Sequence, residues 1–269
     1  MKLFFVFLLV LPVIQAHVDE EILLDYSSIE LLEQTYKNGF ISSDECHIQA
    51  HELGRKATQE LGLVHALAQQ VHICRSGFIH GAVEEYDFEN NSDITYICTA
   101  GSQALQEQCI HGIGHGLTQE LGKQHAITMC ETFTKYDASI CISGVYMQYF
   151  QDNPQAQPHI CETIIECHWY IPYLIQNESQ QYIANMCINS EQPQACARGA
   201  GIQVARTSSY NTHTIRTQCD LLGDDCYYGA ASEIGYNHEI KKGIAVCSNA
   251  HRKIQCILEL LITRSKHFY

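Results

Sequence analysis

The chain has 269 residues, a formal net charge of −14 and fourteen cysteines. So acidic a surface argues against nucleic acid and anionic membranes as partners, because both repel it. No segment reaches the roughly twenty apolar residues that a membrane-spanning helix requires, which excludes an integral membrane protein of that kind.

In chain order, Met1-Lys2, the apolar run Leu3 to Ile14 and the exit Gln15-Ala16 have the three parts of a signal peptide. Residues 1–16 are therefore expected to be a leader and residues 17–269 a single mature domain, secreted or otherwise extracytoplasmic (periplasmic or cell-surface). Cleavage after Ala16 would make His17 the new amino terminus, where its amine and ring together can chelate copper. An even number of cysteines in an exported chain makes disulfides the expected state.

The cysteines also reveal a repeat. Cys74, Cys109, Cys141, Cys196 and Cys226 each begin Cys-x-x-Gly, and Cys46, Cys167 and Cys256 keep the same beat without the glycine. The eight beats are spaced by 28, 35, 32, 26, 29, 30 and 30 residues, which suits a solenoid of helical hairpins. The segment Thr58-Gln-Glu-Leu-Gly62 followed by His65-Ala66 recurs as Thr118-Gln-Glu-Leu-Gly122 followed by His125-Ala126. Its glycine is expected to end one helix before the next begins. The remaining cysteines, 98, 130, 161, 187, 219 and 247, read as the ends of first helices, and the beat cysteines as the starts of second ones. The expected fold is all-α, a solenoid-like array of about eight antiparallel helical hairpins with a repeat of about 30 residues and about seven disulfides.

Spacing leaves two pairing schemes open. Pairing within each repeat gives 98–109, 130–141, 161–167, 187–196, 219–226 and 247–256, with 46–74 as the seventh bridge. Pairing each beat cysteine with the next first-helix cysteine has nearly constant gaps but strands Cys46 and Cys256. The first scheme is preferred because it leaves nothing over. Glycine at the fourth position of the second helix costs about 1 kcal/mol against alanine. Its recurrence points to close backbone approach.

Histidine is not spread like the repeat, since eight of the fifteen fall between residues 47 and 125. The His-rich repeats are thus 28–125 and the later ones 126–269. His47 and His51 are four apart, as are His111 and His115, so each pair shares a helix face. His80 lies six residues past Cys74 and His115 six past Cys109, which by counting puts them in one slot. His51, His80, His111 and His115 are therefore expected to line one wall, with Glu84 one turn after His80 as a further ligand or base. Imidazoles with a carboxylate suit zinc, copper or iron. Packing, or protonation at mildly acidic pH, is the competing reading of these rings. His65 and His125 recur with a structural segment and are assigned to the fold.

Other catalytic signatures fail. His51-Glu52 starts a zinc-protease helix, but Arg55 stands where the second histidine belongs. The pairs His51-Glu52 and His238-Glu239 resemble those that helical-repeat di-iron hydroxylases use. That resemblance implies only that a wall of stacked hairpins can hold metal, and no residue role is carried over. Tyrosines such as Tyr146, Tyr149, Tyr173, Tyr227 and Tyr228 offer either packing or a grip on a protein partner along a concave face. Asn90-Asn91-Ser92 and Asn177-Glu178-Ser179 are glycosylation motifs. The expected function is an exported metal-binding protein, with a non-enzymatic protein-binding scaffold as the alternative.

Overall fold

The computed structural model describes residues 28–69, 73–88, 94, 96–99, 103–156, 158–237 and 239–266. The leader, His17, Asn90-Asn91-Ser92 and His238 lie outside the described residues. Every regular element among those described is helical, with no strand, and no helix is long and apolar enough to cross a membrane.

The chain divides into two compact units, Met1–Ala82 and Val83–Tyr269. In the first, a helix covering 28–37 (α1) precedes α2 (Ser43–Leu61), α3 (Leu63–Ala68) and α4 (Gly77–Glu84), whose last two residues fall in the second unit. Ile29, Leu32, Ala50, Ala57, Ala66, Phe78 and Ala82 form its core around Cys46 and Cys74.

The second unit contains α5 (Gln103–Leu121), α6 (Lys123–Cys130), α7 (Lys135–Asp152), α8 (Ile165–His168), α9 (Ile171–Leu174) and α10 (Gln180–Ile188). It continues with α11 (Pro193–Thr207), α12 (Thr212–Leu222), α13 (Asp224–Tyr236), α14 (Ile240–Cys247) and α15 (Lys253–Lys266). Within it α5 packs on α7, α11 on α13 and α13 on α15, while the helices between them pack against these neighbours. The packing is repeat-like.

The seven disulfides are 46–74, 98–109, 130–141, 161–167, 187–196, 219–226 and 247–256, and no cysteine is free. The within-repeat scheme is thus the observed one. Each closed loop would contribute about 2–3 kcal/mol by restricting the unfolded chain. Gly62 and Gly122 separate α2 from α3 and α5 from α6 at φ of 80° and 77°, and Gly223 separates α12 from α13 at 79°. A Cβ at any of the three would meet open space, so these positions use glycine for its left-handed backbone.

Other glycines are there for space, and they come in reciprocal pairs. A Cβ on Gly54 of α2 would overlap the Phe78 carbonyl of α4, and one on Gly81 of α4 would overlap the His51 carbonyl of α2. The same exchange joins Gly114 and Gly144 across α5 and α7, through the carbonyls of Cys141 and His111. It recurs between Gly201 and Gly229 across α11 and α13, through the carbonyls of Cys226 and Arg198. Helices in contact at this range place the residues beside each glycine face to face, which gives the repeat its working register.

That register aligns His51 with His111, each three residues before the first glycine, and aligns His80 with Ser143, each just before the second. The slot shared by His80 and His115, expected from counting past cysteine, is not what the glycines define. The reason is local. Cys74, Arg75 and Ser76 turn left-handed, with φ of 50°, 58° and 61°, so Cys74 stands outside α4 instead of within the helix as Cys141 does in α7.

Candidate metal centre

The start of α2 is fixed by a capping box. The Ser42 hydroxyl accepts from the Glu45 N–H at 3.1 Å, and the Glu45 carboxylate accepts from the Ser42 N–H at 2.9 Å. The backbone hydrogen bond from Ser42, and then its side-chain one, hold the Glu45 carboxyl below its ordinary range. One turn further on, His47 and His51 lie four residues apart on one helix face.

The Cys46–Cys74 bridge ties α2 to the segment that leads into α4, and the left-handed turn there aims the Cys74 carbonyl at the first ring. His47 Nδ1–H donates to that carbonyl at 2.8 Å. Three consecutive non-glycine residues at positive φ cost of order 1–3 kcal/mol each. Beside them Gly77 admits the chain, since a Cβ there would come within 2.6 Å of the His47 carbonyl and 3.0 Å of its Nδ1.

His80 then enters from α4, and its ring centroid lies 5.4 Å from that of His47 and 5.5 Å from that of His51, while His47 and His51 are 4.6 Å apart. His47 and His80 are buried and His51 is partly exposed. One ring nitrogen of each lies within 4.8 Å of those of the other two. Three points no further apart than this lie within about 2.8 Å of a common centre, against the roughly 2.0–2.1 Å of a zinc–imidazole bond. Small side-chain rotations close that gap. These three form a group of metal-ligand geometry among the described residues.

The tautomers follow from the hydrogen bonds. Because His47 gives its Nδ1 proton to Cys74, its neutral ring presents a lone pair at Nε2. His51 Nε2 lies 3.1 Å from that atom and supplies the proton between them. The Nδ1–H to a backbone carbonyl is the outer contact that characteristically orients a metal-ligating histidine. No thiolate competes, since every cysteine is bridged.

The other expected ligands stand in the second unit. His111 and His115 lie on α5 with Nε2 atoms 3.1 Å apart. His111 Nδ1 meets Ser143 Oγ at 2.9 Å, and His115 Nδ1 meets Gln148 Oε1 at 3.0 Å. The buried Glu84 carboxylate is 3.8 Å from His115 Nδ1. Of the five residues expected to share a wall, the first unit brings together His51 with His80, and the second brings together His111 with His115 and Glu84. The first group is completed by His47, which shares a helix face with His51 but is not among the five residues expected from the sequence. Two further carboxylates have other partners, since Glu52 is 2.5 Å from Arg55 Nη1 and Glu120 accepts the Phe88 N–H at 3.1 Å. His65 and His125 are exposed, and the alanine after each is buried.

No protein-family model, curated protein sequence or solved structure matches the chain. The functional reading rests on the geometry.

Proposed function

We propose that this is an exported, disulfide-rich helical-repeat protein that binds a transition metal through His47, His51 and His80. The observation that carries the reading is the convergence of three imidazoles, one of them oriented by the Cys74 carbonyl. An all-nitrogen set favours zinc or copper over iron, whose sites more often include a carboxylate. Three ligands leave a fourth position for water or substrate, the arrangement of catalytic zinc sites. If the protein is an enzyme, the metal would activate water or dioxygen there. The finer architecture we propose is one array of eight hairpins over the mature chain.

Metal content by mass spectrometry of the disulfide-intact mature chain, purified without a metal-affinity tag, tests this. Zinc or copper that falls by one ion per chain in His51→Ala and in His80→Ala, with helicity retained, is the expected result. Wild-type protein that neither holds nor takes up zinc or copper refutes it.

The alternative, a protein-binding scaffold, has one observation in its favour. Ile254, Leu258, Leu261 and Ile262 leave an exposed apolar stripe along α15. Of the five tyrosines named above, Tyr146, Tyr227 and Tyr228 are buried and offer no such surface, while Tyr149 and Tyr173 are partly buried. Binding of a partner that is lost on changing Leu258 and Ile262 to serine, with metal content unaffected, would favour the scaffold.

A further inference from the structure

We propose that His111 and His115, with Glu84 as counter-charge, form a second transition-metal site in which the ion takes the place of a shared proton. The argument is a count of hydrogens along one connected chain of polar groups. Ser143 has a single hydroxyl proton and spends it on the Ile140 carbonyl at 2.7 Å. The 2.9 Å contact between Ser143 Oγ and His111 therefore needs a proton on His111 Nδ1.

At the other end, the Gln148 amide nitrogen donates to Asp152 Oδ1 at 2.9 Å, which fixes the amide and turns its oxygen toward His115. The 3.0 Å contact with Gln148 Oε1 then needs a proton on His115 Nδ1. Both Nδ1 atoms carry protons in these bonds, so two neutral rings would turn their Nε2 lone pairs toward each other at 3.1 Å. Lone pairs do not meet at that distance without a cation between them. Glu84, whose side chain is almost fully buried 3.8 Å from His115 Nδ1, supplies the opposite charge that a buried cation needs.

A proton satisfies this count, and so does a metal ion, for which the pair is already arranged. Both outer nitrogens are held by hydrogen-bond acceptors, as in metal-ligating histidines. Two nitrogens bound at about 2.1 Å in a tetrahedral site stand about 3.4 Å apart, close to the observed separation. Binding exchanges one proton for one divalent ion at the two Nε2 atoms, and water completes the coordination. Ser143 is not a nucleophile in this arrangement, since its proton points away from His111. This site does not depend on the three-histidine one.

Zinc titration of the intact chain, counted by native mass spectrometry with affinities from calorimetry, tests the assignment. Wild type is expected to take two zinc ions, and His115→Gln and His80→Gln one each. Ser143→Ala, which leaves both rings in place and removes only the acceptor for His111 Nδ1–H, is expected to weaken one of the two sites about 10–100-fold. It serves as the measurement if His115→Gln does not fold. A single zinc lost in His80→Gln and untouched by Ser143→Ala overturns the second site and makes the pair a permanent imidazolium. So does a second zinc that survives both His115→Gln and Ser143→Ala. A single zinc lost in His115→Gln but kept in His80→Gln upholds this inference and removes the three-histidine reading. No zinc at all removes both.

Discussion

Replacing Gly81 with alanine should damage the three-histidine site without touching a ligand. The added Cβ would overlap the His51 carbonyl and lie 2.6 Å from the His51 Cα and carbonyl carbon. Carbon atoms settle at about 3.5–4.0 Å, so α4 must retreat from α2 by about 1 Å. Overpacking of this kind costs about 3 kcal/mol at its upper end, offset by about 1 kcal/mol from the better helix propensity of alanine. The net loss is about 2 kcal/mol. His80 travels with α4, and a displacement of about 1 Å is several times the roughly 0.2 Å tolerance of a metal–ligand distance. Zinc affinity at the three-histidine site should therefore fall at least about 100-fold, the upper end of what removal of an outer partner alone costs. Gly229→Ala is the matched control, because its Cβ would overlap the Arg198 carbonyl in the same way but on α13. Denaturant unfolding should show similar losses for the two variants, and calorimetry should show weakened zinc binding at this site only for Gly81→Ala. Wild-type zinc affinity in Gly81→Ala would refute the geometry of the site.

Other consequences can be measured in the same protein. Changing Cys46 and Cys74 to serine opens a loop of 28 residues, and should cost about 3 kcal/mol in stability along with most zinc binding, read by denaturation and calorimetry. Saturating zinc at about 100 times its Kd should stabilise the first unit by about 2.7 kcal/mol, and chelation should reverse the gain in thermal unfolding. Glu233 lies 2.9 Å from Arg206, whose Nε is buried without a hydrogen-bond partner among the described residues, so Glu233→Ala should strand that cation and cost about 3 kcal/mol. Burial, and then the charges of Glu162 and Glu166, push the Tyr146 phenol up to about 12. Because the folded state holds that proton more tightly, its contribution to stability is complete below the ordinary phenol range and disappears as the pH rises through about 12. Burial also raises the Tyr227 and Tyr228 phenols, so near-ultraviolet titration should show several late phenols in wild type and one fewer in Tyr146→Phe.

The cysteine beat was legible because a disulfide leaves its residue type and spacing in the chain, and local pairing was the scheme with no remainder. The helix breaks at Gly62 and Gly122 were legible for a similar reason, since a left-handed backbone selects glycine. The grouping of the histidines was harder to read. Counting from Cys74 assumes that α4 begins there, yet Arg75 and Ser76 are ordinary residues and give no sign of the left-handed turn that delays it. The glycines were the better ruler. Gly54 with Gly81 and Gly114 with Gly144 would have aligned His51 with His111 and His80 with Ser143, but only once their role in helix contact is known. The beat at Cys167 shows the converse. Tyr170 replaces the repeat glycine there, and the long second helix gives way to the two short ones, α8 and α9.

The sequence separations of the disulfides also set an order of events during synthesis. Six bridges join cysteines 6–11 residues apart, so each can close as soon as its own short loop has emerged. Early closure limits the time any thiol has to find a wrong partner, the hazard for a chain with fourteen of them. The bridge from Cys46 to Cys74 is the exception, because it must wait for 28 residues and leaves Cys46 unsealed for longest. That late-closing bridge is also the one that brings the Cys74 carbonyl to His47. Maturation of the three-histidine centre is thereby coupled to completion of the chain's oxidation.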